Sequence, residues 1–304
     1  MDISVIVTNW NGLPLLQKNL LRVIDTSRLA GEIIIADDAS TDGSVKFIKR
    51  LQKNHPKIRL IQNKKNIGFG RNSNKAVKLS KGKLVVLLNN DIYPYSGYIK
   101  NCLKHFHDPK TFGVGFCEIG NKNWGQVYWK SGYLQYRPGK NTKKSHISAW
   151  LSGGGCLVRR RLFLKLGGFD SVYEPFYCED LDLGLRAWRS GYRLLWEPSA
   201  RIKHRHESTM SRFPHRFLDY VKERNRLLTV WRNITDTKLL RAHRWAKIGR
   251  VLSGPNYIKI IHAAKKQIKK YPPPLVFPKL TDRQILQLFT SPAKSQKLFA
   301  PPRH

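Results

Sequence analysis

Five carboxylates lie close together in a chain that is poor in acidic residues. The sequence has 20 aspartates and glutamates among 304 residues, against 56 lysines and arginines, and a formal net charge of +36. A helix N-terminus attracts one or two carboxylates, because its free amide groups and its dipole favour negative charge. The whole cluster is better explained by a general base beside a cationic substrate complex. Its members are Asp170, Glu174, Glu179, Asp180 and Asp182.

Three further polar clusters each follow a short, apolar, β-branched run. Such runs are typical of buried strands, and the ligands of parallel sheets bind beyond the carboxyl ends of the strands. We therefore expect the three clusters to line one pocket. The runs are residues 4–8, 32–36 and 84–88, and the clusters are residues 8–11, 37–42 and 89–91.

The elements that position these clusters alternate between strand and helix. Apolar residues recur at helical spacing after Pro14, around Ile48 and over about residues 71–81. This alternation predicts βαβ units and a mostly parallel sheet, which is an α/β fold. Further predicted elements are strands at residues 58–61, 152–158 and 193–196 and helices at residues 159–166 and 180–190, while residues 112–150 contain strand-like pieces without clear boundaries.

The cysteines and the apolar runs limit the class of protein. The four cysteines form no Cys-x-x-Cys pair, so we expect free thiols in a reducing compartment and no zinc site. An acidic residue at position 2, followed at once by a strand-like run, argues against a secretory signal. The longest apolar runs have about five residues, whereas a membrane-spanning helix needs about 20. We therefore expect a cytoplasmic protein that does not span a membrane.

The positive charge implies an anionic partner, such as nucleic acid, an anionic membrane surface or a phosphorylated substrate. Residues 211–304 hold 21 of the lysines and arginines but only 4 of the acidic residues. Basic amphipathic helices are predicted there at residues 217–231, 239–252 and 257–270, and Thr281 with Gln284 predicts the cap of a last short helix. These helices could contact an anionic membrane surface, or they could form an ordinary solvated subdomain.

Several motifs, taken in order, resemble those of the family-2 inverting glycosyltransferases with the GT-A fold, especially rhamnosyltransferase-like bacterial members. The resemblance covers residues 3 to about 210. Its pieces are residues 4–11, 36–44, Asn66-x-Gly68-Phe69, Leu87 to Asp91, Gly167 to Asp170 and Glu179-Asp180-x-Asp182-Leu183, with a weaker echo in Tyr220-x-x-x-Arg224-Asn225-Arg226.

The resemblance implies a Rossmann-like, mostly parallel sheet with a C-terminal helical extension. Residues 1–210 would be the catalytic domain. Within it, residues of about 1–110 would bind the nucleotide and residues of about 111–210 would bind the acceptor. Residues 211–304 would be the basic helical extension.

The resemblance also implies a pocket for a nucleotide-diphosphate sugar, which would be a UDP- or dTDP-sugar. Asp37 or Asp38 would contact the base or the ribose, although an Asx-type turn is the alternative explanation. The other nucleotide-sugar-binding residues would be Thr8, Asn11, Asn74 and Asn90.

The family's metal motif is usually Asp-x-Asp, and this chain has Asn89-x-Asp91 in its place. An amide oxygen can bind a hard cation but contributes no charge, so Asp91 is the first choice of ligand and Asn89 the second. His204 would be a third ligand or a phosphate contact, and the neighbouring Arg205 and His206 leave that choice open. The ion would be Mn²⁺ or Mg²⁺.

Asp180, with Glu179 beside it, would supply the catalytic carboxylate. In an inverting single displacement, a base removes the proton of the acceptor hydroxyl as that oxygen attacks the anomeric carbon. We expect repulsion from Glu179 and Asp182, together with partial burial, to raise the pKa of Asp180. The acceptor would be a saccharide or a lipid-linked saccharide in cell-surface polysaccharide synthesis, at the inner face of the cytoplasmic membrane.

Three other functions fit the sequence less well. A nucleic-acid-binding protein would explain the charge, but no nucleic-acid motif is present and the acidic cluster would repel phosphates. A sugar nucleotidyltransferase would need a Gly-rich triphosphate loop near the N-terminus, which residues 9–12 match poorly. A sugar- or nucleotide-binding module without activity would not need the Glu179–Asp180 pair.

Overall fold

A computed structural model of the chain describes residues 2–121, 124–140, 142–204, 213–274 and 276–290. The strands are β1 Ile3–Asn9, β2 Glu32–Asp37, β3 Ile58–Gln62, β4 Leu84–Asn89, β5 Ile92–Pro94, β6 Thr111–Glu118, β7 Gly125–Lys130, β8 Tyr133–Pro138, β9 His146–Ile147, β10 Gly155–Arg159 and β11 Arg193–His204. The helices are α1 Leu13–Thr26, α2 Ser44–Gln52, α3 Phe69–Leu79, α4 Lys100–Leu103, α5 Arg160–Lys165, α6 Glu179–Arg189, α7 His215–Asn233, α8 Thr237–Ser253, α9 Tyr257–Lys270 and α10 Asp282–Thr290.

A single large sheet forms the centre of the fold, in the order β3-β2-β1-β4-β10-β6-β11-β5. The pairs among β3, β2, β1 and β4 are parallel, whereas β10 runs antiparallel to both β4 and β6. The short strands β5 and β9 pair with β11, and β7 and β8 form a separate hairpin. The predicted α/β architecture is confirmed.

The central strands of this sheet are buried on both sides, because helices cover both of its faces. Alternate residues of a strand point to opposite faces. Val5 accordingly packs with Leu16, Leu20 and Ile48, which come from α1 and α2. Its neighbour Ile6 packs on the other face, with residues of α3, α5, α6 and the C-terminal helices. The long apolar runs of the sequence therefore form central strands without a polar face.

The predicted elements of the first hundred residues are present with boundaries shifted by a residue or two. Later in the chain, the largest difference lies in β11, which was predicted to end at Trp196 but continues to His204. Its pairing with β6 shifts register between Glu197 and Arg201, around Pro198, which has no amide proton for the ladder. Residues 112–150, which the sequence left without clear boundaries, contain most of β6 and all of β7, β8 and β9.

The C-terminal helices share the core of the sheet domain. α7, α9 and α10 contribute buried residues to the same apolar cluster as α6 and β7, among them Leu228, Ile261 and Leu288. Thr281 and Gln284 cap α10 as predicted, since each side chain bonds the backbone amide of the other residue. The division near residue 210 stays a prediction, and residues 205–212 lie outside the described part of the chain.

Two further predictions concern the cysteines and the membrane. All four cysteines are free, and Cys102 and Cys156 are buried. Within the described ranges, no helix combines the length and the apolar character that a membrane span requires.

Candidate active site

The carboxyl ends of β1, β2 and β4 bring the three polar clusters together. Thr8 is opposite Asn89 in the register of β1 and β4, and Asn9 is opposite Asp37 in the register of β1 and β2. Side chains join the clusters, because Asn9 donates to Asp37 Oδ2 at 2.9 Å and Asn90 donates to Asn9 Oδ1 at 2.7 Å. Thr8 Oγ1 lies 3.3 Å from Asn89 Oδ1. One contiguous polar surface results, at the edge of the sheet where parallel α/β proteins bind ligands.

Asp37 and Asp38 are both bonded to the protein itself. Asp37 is fully buried, and it accepts bonds from the amide of Ser40 at 2.9 Å and from the hydroxyl of Ser40 at 2.6 Å. Asp38 accepts from the amides of Ile67 at 2.9 Å and Gly68 at 2.8 Å. The turn expected as the alternative for Asp37 is therefore present. Each aspartate fixes a loop at the rim of the polar surface.

The other residues predicted to bind the nucleotide sugar also have defined partners. Asn11 accepts from the amide of Thr41 at 2.7 Å. Asn74, on α3, uses its whole amide on the backbone of Phe169, donating to the carbonyl at 2.8 Å and accepting from the N–H at 2.9 Å. Asn74 thereby ties the first half of the chain to the acidic stretch.

Asp91 and His204 face each other, as the predicted metal ligands should. Asp91 is 5% exposed, and its Oδ1 lies 3.0 Å from Nε2 of His204, at the end of β11. On the other side of the ring, Oε2 of Glu118 lies 3.6 Å from Nδ1. Burial alone would lower the pKa of His204, but Asp91 and Glu118 raise it to about 9. Arg205 and His206, the neighbours that left the role of His204 open, lie outside the described residues.

This arrangement fits a divalent cation that arrives with a diphosphate. Within the described residues, no three His, Cys, Asp or Glu side chains form a complete metal cage. Mg²⁺ and similar ions commonly take one or two protein ligands and complete their shell with phosphate oxygens and water. Asp91 and Nε2 of His204 would hold such an ion. Asn89 is placed differently, beside Thr8 and against Gly154, where an added Cβ would lie 2.3 Å from Asn89 Nδ2.

Glu118 is a residue that sequence reasoning missed. A ligating histidine usually gives its second nitrogen to a carboxylate, which fixes the tautomer and the orientation of the ring. Glu118 has that position relative to His204. No sequence signal marked it, since the end of β6 at Glu118 falls in the stretch whose strands had no clear boundaries.

Three of the five clustered carboxylates have cationic or polar partners. Oδ2 of Asp170 lies 3.2 Å from Nε of Arg232. Glu174 accepts from the hydroxyl of Tyr271 at 2.9 Å and pairs with Arg71. The partners of Asp182, which is 1% exposed, are Tyr173, Arg186 and Asn233. These contacts tie three of the carboxylates to the fold, although burial still raises the pKa of Asp170.

Glu179 and Asp180 lack such partners. They begin α6 and are partly exposed, and the buried Oε2 of Glu179 has no hydrogen-bond partner among the described residues. Asp180 accepts from the adjacent backbone amide of Leu181, at 2.7 Å. Burial raises the pKa of both carboxyls, and the charge of Asp180 adds to the effect on Glu179. Repulsion was expected to help raise the pKa of Asp180, but burial is the dominant cause.

The loop before this pair is held in an uncommon backbone conformation. Tyr177 and Cys178 have φ of +74° and +76°, a region that costs about 1 kcal/mol or more for a residue other than glycine. Asn225, on α7, stabilises the loop, because its Nδ2 lies 2.9 Å from the carbonyl of Tyr173 and 2.8 Å from those of Phe176 and Tyr177. Arg224 bonds the carbonyl of Glu174. The weak motif echo in α7 thus corresponds to a clamp on the loop that presents Asp180.

Comparison with known protein families matches residues 4–167 to glycosyl transferase family 2, which is more than half of the chain. The chain belongs to this family. Among curated relatives it is 23% identical over 249 residues to the N-acetylglucosaminyl-diphospho-decaprenol L-rhamnosyltransferase of Mycobacterium tuberculosis, covering 70% of this chain and 78% of that protein. It is 29% identical over 121 residues to the chondroitin synthase of Pasteurella multocida, covering 40% of this chain and 12% of that protein.

Solved structures of glycosyltransferases share the fold of this family-2 enzyme. The Pyrobaculum calidifontis mannosyltransferase PcManGT, in complex with GDP-Man and Mn²⁺, superposes with a TM-score of 0.57 and 18% identity over 87% of this chain and 75% of its own. Residues 1–349 of S. aureus TarS, in complex with UDP-GlcNAc, give a TM-score of 0.57 and 17% identity over 90% and 82% of the two chains. The predicted GT-A fold and the assignment as a glycosyltransferase that uses a nucleotide sugar are both confirmed.

Replacing Glu179 by Gln should stabilise the folded enzyme, and more so as the pH rises. The raised pKa means that the folded state binds this proton more tightly than the unfolded chain does. The ionised carboxylate therefore begins to destabilise the fold above the ordinary glutamate pKa, and this cost grows until the pH passes the raised value. We expect Glu179→Gln to gain about 2–4 °C in Tm near pH 8, the shift that roughly 1 kcal/mol produces, and little near pH 4.

Thermal unfolding of both proteins across that pH range measures the difference. Glu223→Gln is the matched control, since Glu223 is a partly exposed carboxylate that pairs with Arg250. An equal gain at both ends of the range would show that the substitution acts through something other than ionisation.

Replacing Asn225 by Asp should impair transfer without displacing the donor. The substitution keeps the shape of the side chain but points an oxygen at three carbonyls, so the loop before Asp180 should shift. A misplacement of about 1 Å can lower the rate by about 10²-fold. Steady-state kinetics should show a lower kcat at an unchanged KM for the nucleotide sugar.

The control is the same change at Asn101, whose Nδ2 donates to a single exposed carbonyl, that of Ser199, at 2.7 Å. Circular dichroism establishes that both variants are folded. A folded Asn225→Asp enzyme with the kcat of the wild type would remove the clamp from the mechanism.

Proposed function

We propose that this enzyme transfers a sugar from a UDP- or dTDP-sugar to the hydroxyl of a saccharide or lipid-linked saccharide, by an inverting single displacement. The observation that carries the proposal is the pair Glu179–Asp180, which has no cationic partner among the described residues. The pair directly follows the strained loop that Asn225 holds. In a chain with a charge of +36, a half-buried carboxylate without a cation is costly to keep. Enzymes maintain such groups where a base with a raised pKa is needed.

In this proposal Asp180 is the general base. Its carboxylate accepts the proton of the acceptor hydroxyl while that oxygen forms a bond to the anomeric carbon. The bond from the anomeric carbon to the phosphate oxygen breaks, and the nucleoside diphosphate leaves. Glu179 lies beside Asp180 at the start of α6, and the burial that raises the pKa of Asp180 favours proton uptake by its carboxylate.

The donor would bind at the strand ends. Thr8, Asn11, Asp37, Asp38 and Asn90 would form or shape the nucleotide pocket, through the loops that they fix. Asn74 would act at one remove, by placing Phe169.

Asp91 and His204, with Glu118 behind the histidine, would hold a Mn²⁺ or Mg²⁺ ion that neutralises the diphosphate. Asn89 would contribute an amide oxygen only after its side chain turns away from Thr8. The mannosyltransferase structure holds Mn²⁺ together with GDP-Man, which supports the use of a divalent ion in this fold.

The acceptor is inferred from the relatives. The mycobacterial relative is named for an acceptor in which a diphosphate joins a sugar to a polyprenol. The TarS structure contains UDP-GlcNAc, which is a nucleotide sugar and so concerns the donor. A lipid-linked acceptor of this kind would place the enzyme at the inner face of the cytoplasmic membrane, as expected from the sequence.

Replacing Asp180 by Asn should abolish transfer and leave donor binding intact. The amide has nearly the same shape but cannot accept the proton, and a general base contributes about 10²–10⁴-fold to a rate. Transfer to an acceptor is measured by release of the nucleoside diphosphate, and donor affinity by calorimetry. The control is Asp170→Asn, which removes a carboxylate of the fold and should act through stability. Wild-type turnover in Asp180→Asn would exclude Asp180 as the base.

A thermal-shift screen should identify the donor class. UDP or dTDP should raise the Tm, and Mn²⁺ should increase that rise, whereas GDP and ADP should raise the Tm less.

Glu118→Gln should weaken the binding of the metal by about 10–100-fold in affinity, since a carboxylate behind a ligating histidine has about that effect. Stabilisation by UDP or dTDP that is identical with and without metal, in both proteins, would argue against the metal site.

A further inference from the structure

The outward face of the second half of α8 carries three exposed apolar side chains, although a solvated helix face is normally polar. Trp245 is 68% exposed, Ile248 is 40% exposed and Leu252 is 78% exposed. Their spacing of three and four residues aligns them along one side of the helix. Exposed apolar residues scattered singly need no explanation, but a row of three does. We call these three residues the α8 stripe.

Contacts on the opposite side of α8 fix the direction in which the stripe points. His243 is 3% exposed, and its Nδ1 donates to the carbonyl of Gly132 at 2.9 Å. Its Nε2 accepts from the indole of Trp231 at 2.9 Å. An added Cβ on Gly132 would lie 2.4 Å from Cβ of Ala246, so the helix lies directly on the turn between β7 and β8. With this side anchored, the stripe must face away from the domain.

Positive charge surrounds the stripe. Residues 237–270 contain ten lysines and arginines and no aspartate or glutamate. Arg250 pairs with Glu223, and the other nine form no ion pair with any residue that the structure describes. Burial lowers the pKa of Lys247, and the nearby positive charges of Lys265 and Arg244 lower it further. An anionic partner would relieve this repulsion.

We propose that α8 and the basic face of α9 form a docking surface for anionic lipid. A bilayer interface accepts both components of this surface. Its acyl boundary takes up apolar side chains and tryptophan, and its anionic headgroups attract lysine and arginine. Duplex nucleic acid would pair with the charge but would leave Ile248 and Leu252 without an apolar partner. The sequence suggested membrane contact for the basic C-terminal helices in general. This proposal assigns the contact to α8 and α9, and its apolar part to the α8 stripe.

Vesicle binding tests the proposal with the full chain. The wild type should co-sediment with vesicles of phosphatidylcholine and phosphatidylglycerol, and should bind pure phosphatidylcholine far more weakly. A stripe variant, Trp245→Ser with Leu252→Ser, should lose most of the binding. A charge variant, with Gln at Lys265, Lys266 and Lys269, should lose about fivefold for each lysine and show a flatter salt dependence.

Control variants are available outside α8 and α9. Leu29 and Leu79 are 51% and 46% exposed, and changing both to Ser also removes exposed apolar side chains. Gln at Lys78, Lys81 and Lys83, which are exposed, removes the same charge. Both control variants should bind vesicles as the wild type does.

The outcomes separate this surface from the catalytic proposal. If the stripe variant binds vesicles as well as the wild type, the lipid surface is wrong. Tight, salt-dependent binding to duplex DNA by the wild type and by the stripe variant alike, without vesicle binding, would assign the surface to nucleic acid instead. Turnover with a water-soluble acceptor should be unchanged in the stripe variant, so failure of either proposal leaves the other standing.

Discussion

The amide of Asn225 is the contact on which the position of the acidic pair depends. Its Nδ2 bonds three carbonyls of the loop that precedes Glu179 and Asp180. α7 is also tied to α6, because Asn233 donates to Asp182 at 2.8 Å. The C-terminal helices therefore support the start of α6, where the acidic pair lies.

The distribution of partners among the acidic residues separates structural from chemical roles. Arginines and hydroxyls neutralise Asp170, Glu174 and Asp182, although all three lie in the same stretch as Glu179 and Asp180. With 56 lysines and arginines in the chain, cations were available for the remaining pair as well. Among the described residues no cation pairs with Glu179 or Asp180, so nothing offsets the burial that raises both pKa values.

Local pattern predicted the first half of the fold well. Runs such as Ile33 to Ala36 leave no polar face, so they could only be central strands, and the polar residues after them had to meet at one edge. The hairpin of β7 and β8 escaped prediction because it pairs only with itself and is buried by helices from far along the chain. The partners of Asn74 and His204 were equally hidden, since contacts across 95 or 86 residues leave no mark in local sequence. The structural role of Asp182 was hidden for the same reason, because it includes a hydrogen bond from Asn233, which is distant in the sequence.

The seam between Asn74 and Phe169 has a consequence for how such enzymes diversify. Asn74 hydrogen-bonds to the backbone of Phe169, so these two bonds do not depend on the side chain at position 169, whereas an added Cβ at Gly168 would lie 2.3 Å from Asn74 Oδ1. The family match ends at residue 167, close to this seam and before the acidic pair. Under the proposed function, recombination near Gly167 would exchange the acceptor-binding residues and keep the donor-binding ones. A chimera built there would have to carry α7 along with α6, because the loop between Phe169 and the acidic pair is held by Asn225 of that helix.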